Sequence, residues 1–308
     1  LDVLRAEAYV PAAISNFFSV HDEGLSVSPP DLHRVGATGG GFMLSKGVST
    51  RADVSRGQRA ALEVKVNGDP GYEATTTRRA VGLLLDDLGE SCSVALEQSV
   101  DVPVGHGFGA SAASALSAVL AVSSALGLDK SREQVAYYAH AADILCRTGL
   151  GTVSAIYKNG GAGLIVKAGA PGVAELRVVP VPDGIKIVTA SLAPYRKSAV
   201  LSSPKTVVAV NKLGDEALAR ADDLTIESLV RAGEIFADLL GLESPEVRRL
   251  NGIARGLGAI GASQNMVGHA IHALVWEDDV EQVAAALASD PSAPLVNVYG
   301  FDSGPRLG

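Results

Sequence analysis

Apolar and polar residues along this chain switch between a period of two and a period near 3.6, with no fixed cadence. Arg5–Val10 alternates as a strand, and Pro11 is the expected stop. From Phe17 to Gly41 the pattern lapses, and Pro29, Pro30 and the run Gly39, Gly40, Gly41 predict a loop. Alternation returns over Phe42–Val54 and Ala61–Val66. A helix is expected from a cap at Thr75–Thr77 through Leu88, stopped by Gly89, and a strand over Ser93–Val100 follows. The glycines of Gly105–Gly109 open a helix over Ala110–Leu126, which Gly127 closes. Ser131-x-x-Gln134 reads as a capping box for a helix to about Arg147. On that helix His140, Asp143 and Arg147 stand three and four apart and share a face. After the small residues Gly149–Gly151, Gly160–Gly163 lead into a strand ending at Lys167.

Lys167–Pro182 reads as a boundary between two units, 1–168 and 169–308. The second half predicts a strand (Ile185–Ser191), a loop, helices over Thr225–Leu240 and Pro245–Arg255, and a Gly-rich turn (Gly256–Gly268). A strand (Ala270–Val275), a helix (Val280–Ala288) and a strand (Leu295–Tyr299) complete it. Irregular mixing of strands and helices favours an α+β fold over a doubly wound sheet.

Composition sharpens this. A chain of 308 residues with 47% hydrophobic and 19% charged positions can bury a core and suits two lobes around a cleft. A net charge of −8 argues against a nucleic-acid surface, which needs a basic stripe. The two cysteines, Cys92 and Cys146, form no CxxC pair and read as reduced thiols in a cytoplasmic protein. The N-terminal residues show no basic-then-apolar secretory pattern. No charge interrupts Val102–Leu128, but the run opens on glycines and is rich in Ala and Ser, so a buried helix is expected and no membrane span.

The stretch most suggestive of chemistry is PVGHGFGASAASAL, Pro103 to Leu116. Gly105, Gly107 and Gly109 let backbone approach a ligand closely. The helix behind them aims free N–H groups and its positive dipole end into the loop, which makes an anion site. Ser111 lies in the first turn, where a hydroxyl can reach a phosphate-bound Mg²⁺. A P-loop is excluded because no Lys follows the glycines. A dinucleotide fingerprint fits Gly105, Gly107 and Ala110 in isolation but lacks a second strand ending in an acid, since Asp129 sits between two helices. A structural glycine turn and a phosphate loop of another type remain open.

The spacing P-x-G-x-G-x-G-x-S-A-A resembles the second motif of the GHMP kinases, with Ala110 in place of its first Ser. AYVPAAISNFF (Ala8–Phe18) resembles that superfamily's opening strand and turn, and GAIGASQNMVGHAIHAL (Gly258–Leu274) falls at its third Gly-rich motif. The strings VPAAISNFFSVHD, GGGFMLSKGV, AHAAD, RTGLG, KAGAPG and DSGPRLG are similar to the archaeal pantoate kinases in particular. The resemblance implies two lobes, an N-terminal one like domain 2 of ribosomal protein S5 and a ferredoxin-like C-terminal one. It also implies ATP and Mg²⁺ as cofactors, phosphorylation of the primary hydroxyl of pantoate to 4-phosphopantoate on an archaeal route to coenzyme A, and, at the level of the family alone, a homodimer.

By the same resemblance, the loop Pro103, Gly105, His106, Gly107, Phe108, Gly109, Ala110, Ser111 and Ala112 would bind the nucleotide. Ser111 and Asp143 would hold the metal. His140, Lys167, Gly39 and Gly40 would meet the substrate, with Lys167 at the place of an arginine that takes the pantoate carboxylate. Taken singly, His106 serves equally well as a loop lining, and His269 and His272 read as strand packing. Two positions depart from the pattern: Ala13 stands where a His is usual, and Thr152 where many members carry the Asp used as catalytic base. Solvent, Lys46 and Lys158 are candidate replacements for that base. A kinase for another small hydroxy acid or alcohol, such as mevalonate or homoserine, and an inactive regulator of the same fold are the alternatives.

Overall fold

The computed structural model describes residues 2–57, 60–158, 160–193, 204–241 and 243–308. Two strands dominate it. β1 (Leu4–His21) and β2 (Gly36–Arg56) form one long antiparallel hairpin, registered from Leu4 opposite Val54 to His21 opposite Gly36. Pro11 does not end the strand. The register shifts between Pro11 and Ala13, and a bulge is where a strand accommodates a residue without an N–H. The loop expected over Phe17–Gly41 contracts to residues 22–35, because Gly39, Gly40 and Gly41 are strand residues. They are glycines for want of space: a Cβ would meet the Phe17 carbonyl at Gly39, the side chains of Leu229, Leu164 and Phe17 at Gly40, and the Ile14 carbonyl at Gly41.

β2 carries two branches. Its second half pairs with β4 (Cys92–Val100), along which β3 (Ala61–Val66) runs parallel. Its first half pairs with β5 (Ala162–Lys167), and β5 pairs with β6 (Glu175–Val179). β11 (Arg306–Leu307) returns to the free edge of β1. Three helices, α1 (Thr75–Leu88), α2 (Ala110–Leu126) and α3 (Arg132–Leu145), pack against this sheet. α2 is buried on nearly every side, which explains its lack of charge. The capping box forms as predicted: Gln134 N–H donates to Ser131 Oγ at 3.3 Å, and Ser131 N–H donates to Gln134 Oε1 at 2.7 Å. The threonine cap of α1 does not form. Ala74 is the N-cap, and Thr76 and Thr77 engage Thr148 and Gln98 instead. α4 (Thr152–Ile156) is a single short turn.

The second sheet contains β7 (Ile185–Ser191), β8 (Gly261–Gln264), β9 (Ala270–Trp276) and β10 (Leu295–Tyr299) in the antiparallel order β10-β7-β9-β8. One face packs on α7 (Pro245–Gly256) and α8 (Val280–Ala288). The other meets Phe17 of β1 and Phe42 of β2, together with α5 (Pro204–Arg220) and α6 (Ile226–Leu240). α5 lies where the pattern predicts a loop. Its β-branched run is a poor helix signal, and docking on β1 overrides it. Asn211 accepts from the Val20 N–H at 2.7 Å and donates to the Val20 carbonyl at 3.0 Å, while Ser19 Oγ donates to Asp215 at 2.7 Å. Among the described residues no helix is long and apolar enough to cross a membrane.

α5 and α6 each present a glycine to β1. A Cβ at Gly214 would strike the Phe18 carbonyl, and one at Gly233 the Asn16 amide. In a free helix, Ala is favoured over Gly by about 1 kcal/mol. Gly233→Ala is expected to reverse that sign and destabilise by about 1–3 kcal/mol through overpacking, read as a lower urea midpoint at unchanged slope. A stabilised variant would show that Asn16 gives way.

Candidate active site

The glycine loop and the start of α2 are backed by several other parts of the chain. Gly105, Gly107 and Gly109 all adopt positive φ (84°, 81° and 63°), a region that side chains disfavour. Gly109 is the N-cap of α2 and offers no capping side chain. The N–H groups of Ala110, Ser111 and Ala112 therefore have no place in the helical ladder and join the positive end of the dipole at the loop mouth. The loop is held by backbone. Ala13 N–H donates to the Phe108 carbonyl at 3.1 Å. A Cβ on Gly109 would lie 3.0 Å from both the Ala13 carbonyl and Thr152 Cγ2, and one on Gly107 would lie 3.0 Å from Asn265 Cβ and the Gly268 nitrogen. Gly105 has open space around it. Pro103, half-buried, leads into the loop, and the Phe108 ring turns inward against Tyr299. The ring nitrogens of His106 lie 2.9 Å from the Val104 carbonyl and 3.0 Å from that of Leu192.

Ser111 and Asp143 come together, as the sequence predicts. Ser111 Oγ donates to Asp143 Oδ1 at 3.4 Å, and Thr148 Oγ1 donates to the same oxygen at 2.5 Å. Thr148 N–H also donates to the Asp143 carbonyl at 2.9 Å, and Gly149 presses on the carboxylate where no side chain would fit. Thr148 and Gly149 were not singled out from sequence, although both lie inside the RTGLG string. Burial pushes the Asp143 carboxyl up to about 6, against the pull of hydrogen bonds from Thr148 and Ser111. Among the described residues no group of three or more His, Cys, Asp or Glu could hold a metal. The available donors are one carboxylate and neighbouring hydroxyls.

The other predicted residues lie at varied distance from this pair. His140, on the same helix, is buried, and its Nε2 lies 3.1 Å from the Leu32 carbonyl. Burial pulls its pKa down to about 4, so the ring is neutral at physiological pH. It pins the 22–35 loop, as does His33 stacked on Tyr137 at 4.1 Å and 11°. Lys167 Nζ pairs with Glu175 at 2.9 Å, both side chains more than half exposed. Gly39 and Gly40 are committed to strand packing. Thr152 starts α4 beside Gly109, while Lys46 and Lys158 are exposed.

In the folded chain Asp143 keeps its proton up to about pH 6, whereas an unfolded Asp releases it near 3.9. Between those values the native state binds more protons, so this group's contribution to stability falls as pH rises and the deficit is complete above about pH 6. Asp143→Asn keeps an acceptor for Thr148 and removes the charge. Without divalent cations it is expected to be more stable than the parent by about 1–3 kcal/mol at pH 8, with the gap closing near pH 4. Denaturant titrations across that range measure it, and a gap independent of pH would refute the assignment.

Residues 75–160, from α1 to just beyond α4, match the family model described as the GHMP kinases N terminal domain. A pantoate kinase of Thermococcus kodakarensis is 31% identical over 312 residues, which cover 98% of this chain and 97% of that protein. A pantoate kinase of Methanospirillum hungatei is 27% identical, over 89% of each chain. A solved structure described as a phosphotransferase related to the CoA biosynthesis pathway superposes with a TM-score of 0.85 at 26% identity, covering 99% of this chain and 98% of its own. The likeness to the Thermococcus protein runs over nearly the whole chain, and the range 75–160 spans the loop, Ser111 and Asp143; the chain belongs to the GHMP kinase superfamily and, within it, to the pantoate kinase family.

Proposed function

We propose that this chain transfers the γ-phosphoryl group of ATP to the primary hydroxyl of pantoate, giving 4-phosphopantoate and ADP. The observation that carries the proposal is the meeting of the uncapped α2 N-terminus with the Ser111–Asp143 pair. Phosphoryl transfer asks a protein chiefly to place its reactants and to stabilise charge on the phosphoryl oxygens, and these groups supply both. The N–H groups of Ala110, Ser111 and Ala112 cradle phosphate. Asp143 and Ser111 suit Mg²⁺, a hard cation that takes one or two protein oxygens and completes its shell with phosphate and water. Bound there, the ion would neutralise phosphate charge, and a cation beside Asp143 would offset the burial that now raises its pKa.

Thr152 stands beside the loop but cannot accept a proton at neutral pH. In-line placement and charge stabilisation then do most of the work, and the acceptor hydroxyl loses its proton to solvent or phosphate oxygen. Lys167 would exchange Glu175 for the pantoate carboxylate, a swap that an exposed ion pair permits at little cost. His140 would shape the acceptor side through the 22–35 loop, and Gly39 and Gly40 would keep β2 narrow beside it. The lobe assignment belongs to the same proposal. The antiparallel order β10-β7-β9-β8, with helices between its strands in sequence, supports a ferredoxin-like C-terminal lobe within 169–308, from which β6 and β11 cross to the first sheet. Residues 1–168 would form the S5-like nucleotide lobe.

The decisive experiment follows ADP release with ATP and Mg²⁺ over pantoate, mevalonate, homoserine and pantothenate. Pantoate is expected to give the highest kcat/KM, and Ser111→Ala to lower turnover by at least ~10². A preference for another acceptor overturns the substrate, and a near-parental Ser111→Ala overturns the nucleotide site. Because no general base is lost, Thr152→Ala is expected to keep kcat within about tenfold. A fall of ~10³ in a variant with parental circular dichroism would show that the hydroxyl takes part in the reaction.

A further inference from the structure

Asn16, His272 and Asn265 are all fully buried, each 0% exposed, and they lie between the two sheets. Nε2 of His272 is 3.0 Å from Oδ1 of Asn16 on β1, and Nδ1 is 2.9 Å from Oδ1 of Asn265 in the turn between β8 and β9. The ring thus stands between two asparagine side chains, and as a neutral imidazole it donates its single N–H to one of the two amide oxygens. Asn16 is fixed at its other end, where Nδ2 donates to the Leu229 carbonyl at 2.7 Å and the amide fills the notch at Gly233. Asn265 reaches the nucleotide loop, its Nδ2 donating to the His106 carbonyl at 3.3 Å.

The turn carrying Asn265 is itself stiff. Asn265 N–H donates to the Ala270 carbonyl (2.9 Å), Gly268 N–H to that of Asn265 (2.7 Å), and Met266 N–H to that of Ser15 on β1 (3.0 Å). Gln264 Nε2 donates to the Gly268 carbonyl at 2.9 Å. Gly268 then lies flat on the backbone of His106 and Gly107, where neither glycine could carry a side chain. The loop's glycines have no side chains with which to anchor themselves. Its N–H groups must still be set to within a fraction of an ångström to stabilise phosphate.

We infer that the Asn16–His272–Asn265 bridge positions the phosphate loop against the second sheet and so governs nucleotide affinity, leaving acceptor binding alone. The inference rests on the reading of that loop as the ATP-phosphate site. It assigns His272 a positioning role and no contact with a reactant. The bridge touches His106 and Gly107, and among the described residues no hydrogen bond joins it to Asp143, Lys167 or the 22–35 loop.

The test uses the full chain with two substitutions. His272→Leu removes both ring contacts, and Asn265→Ala cuts the link to His106 while leaving the histidine in place. In each, the KM for ATP is expected to rise about tenfold or more, with the KM for pantoate within about twofold of the parent. Calorimetry with Mg²⁺ and a non-hydrolysable ATP analogue should show the same loss of affinity. Should His272→Leu fail to fold, Asn265→Ala decides. An ATP KM within about twofold of the parent in a folded Asn265→Ala variant overturns the inference. So does an equal rise in both KM values, which would mark a general loosening of the lobes. If the unaltered protein binds the analogue but phosphorylates no pantoate, the substrate assignment fails, and the calorimetric comparison still judges the bridge.

Discussion

Close backbone contact along β1 is the constraint on which the rest of this molecule depends. Glycines at 39, 41 and 47 bring β2 against the β1 backbone at separations that a Cβ would prevent. That contact lets one strand run from the first sheet into the packing of the second. Along it, Ala13 holds the phosphate loop through Phe108, Ser15 holds the 265–268 turn through Met266, and Asn16 reaches His272. Ser19 and Val20 take α5. Five positions within eight residues thus connect the nucleotide loop, the second sheet and a C-terminal helix. A buried polar group must find a partner or incur a desolvation penalty of about 1–3 kcal/mol, so this arrangement fixes the strand's register as firmly as Phe17 and Ile14 do.

What the sequence shows and what it hides follow from the range of the forces involved. Local signals read true where local forces decide: the Ser131–Gln134 box, the Gly127 stop and the α2 boundaries all lie where the pattern puts them. Pro11 and Gly39–Gly41 mislead because they are usually local breakers, and here they answer to a bulge and a neighbouring strand. α5 is hidden for the converse reason, since its docking on β1 comes from residues about 190 positions away, a separation of 191 for Asn211 and Val20. At the site, Ser111 and Asp143 are legible through the resemblance to the kinase family. Thr148 is not, because a threonine just past a helix gains its meaning only when the chain folds back on the carboxylate. The role of Asn265 is invisible for the same reason.

Asp143 is a buried acid that the fold keeps at a cost in stability. A buried carboxylate with only hydroxyl donors beside it is held in an unfavourable charge state at neutral pH, which its elevated pKa expresses. Evolution could remove the strain with an amide, which would fit the same hydrogen bond from Thr148. Retaining the acid makes sense where a cation arrives with the nucleotide, since the charge is then paired at the moment of use. Gly149 supports this reading, because only glycine lets the chain close so tightly over the carboxylate.

The two departures from the family pattern meet in space. The Ala13 backbone and the Thr152 methyl flank Gly109, each 3.0 Å from where its Cβ would stand. Both positions therefore bear on where Gly109 sits at the start of α2, the Ala13 backbone and the Thr152 methyl forming the van der Waals wall behind it. Phosphoryl transfer tolerates the loss of a base more readily than a displaced phosphate cradle. A site of this design preserves the constraint that matters more.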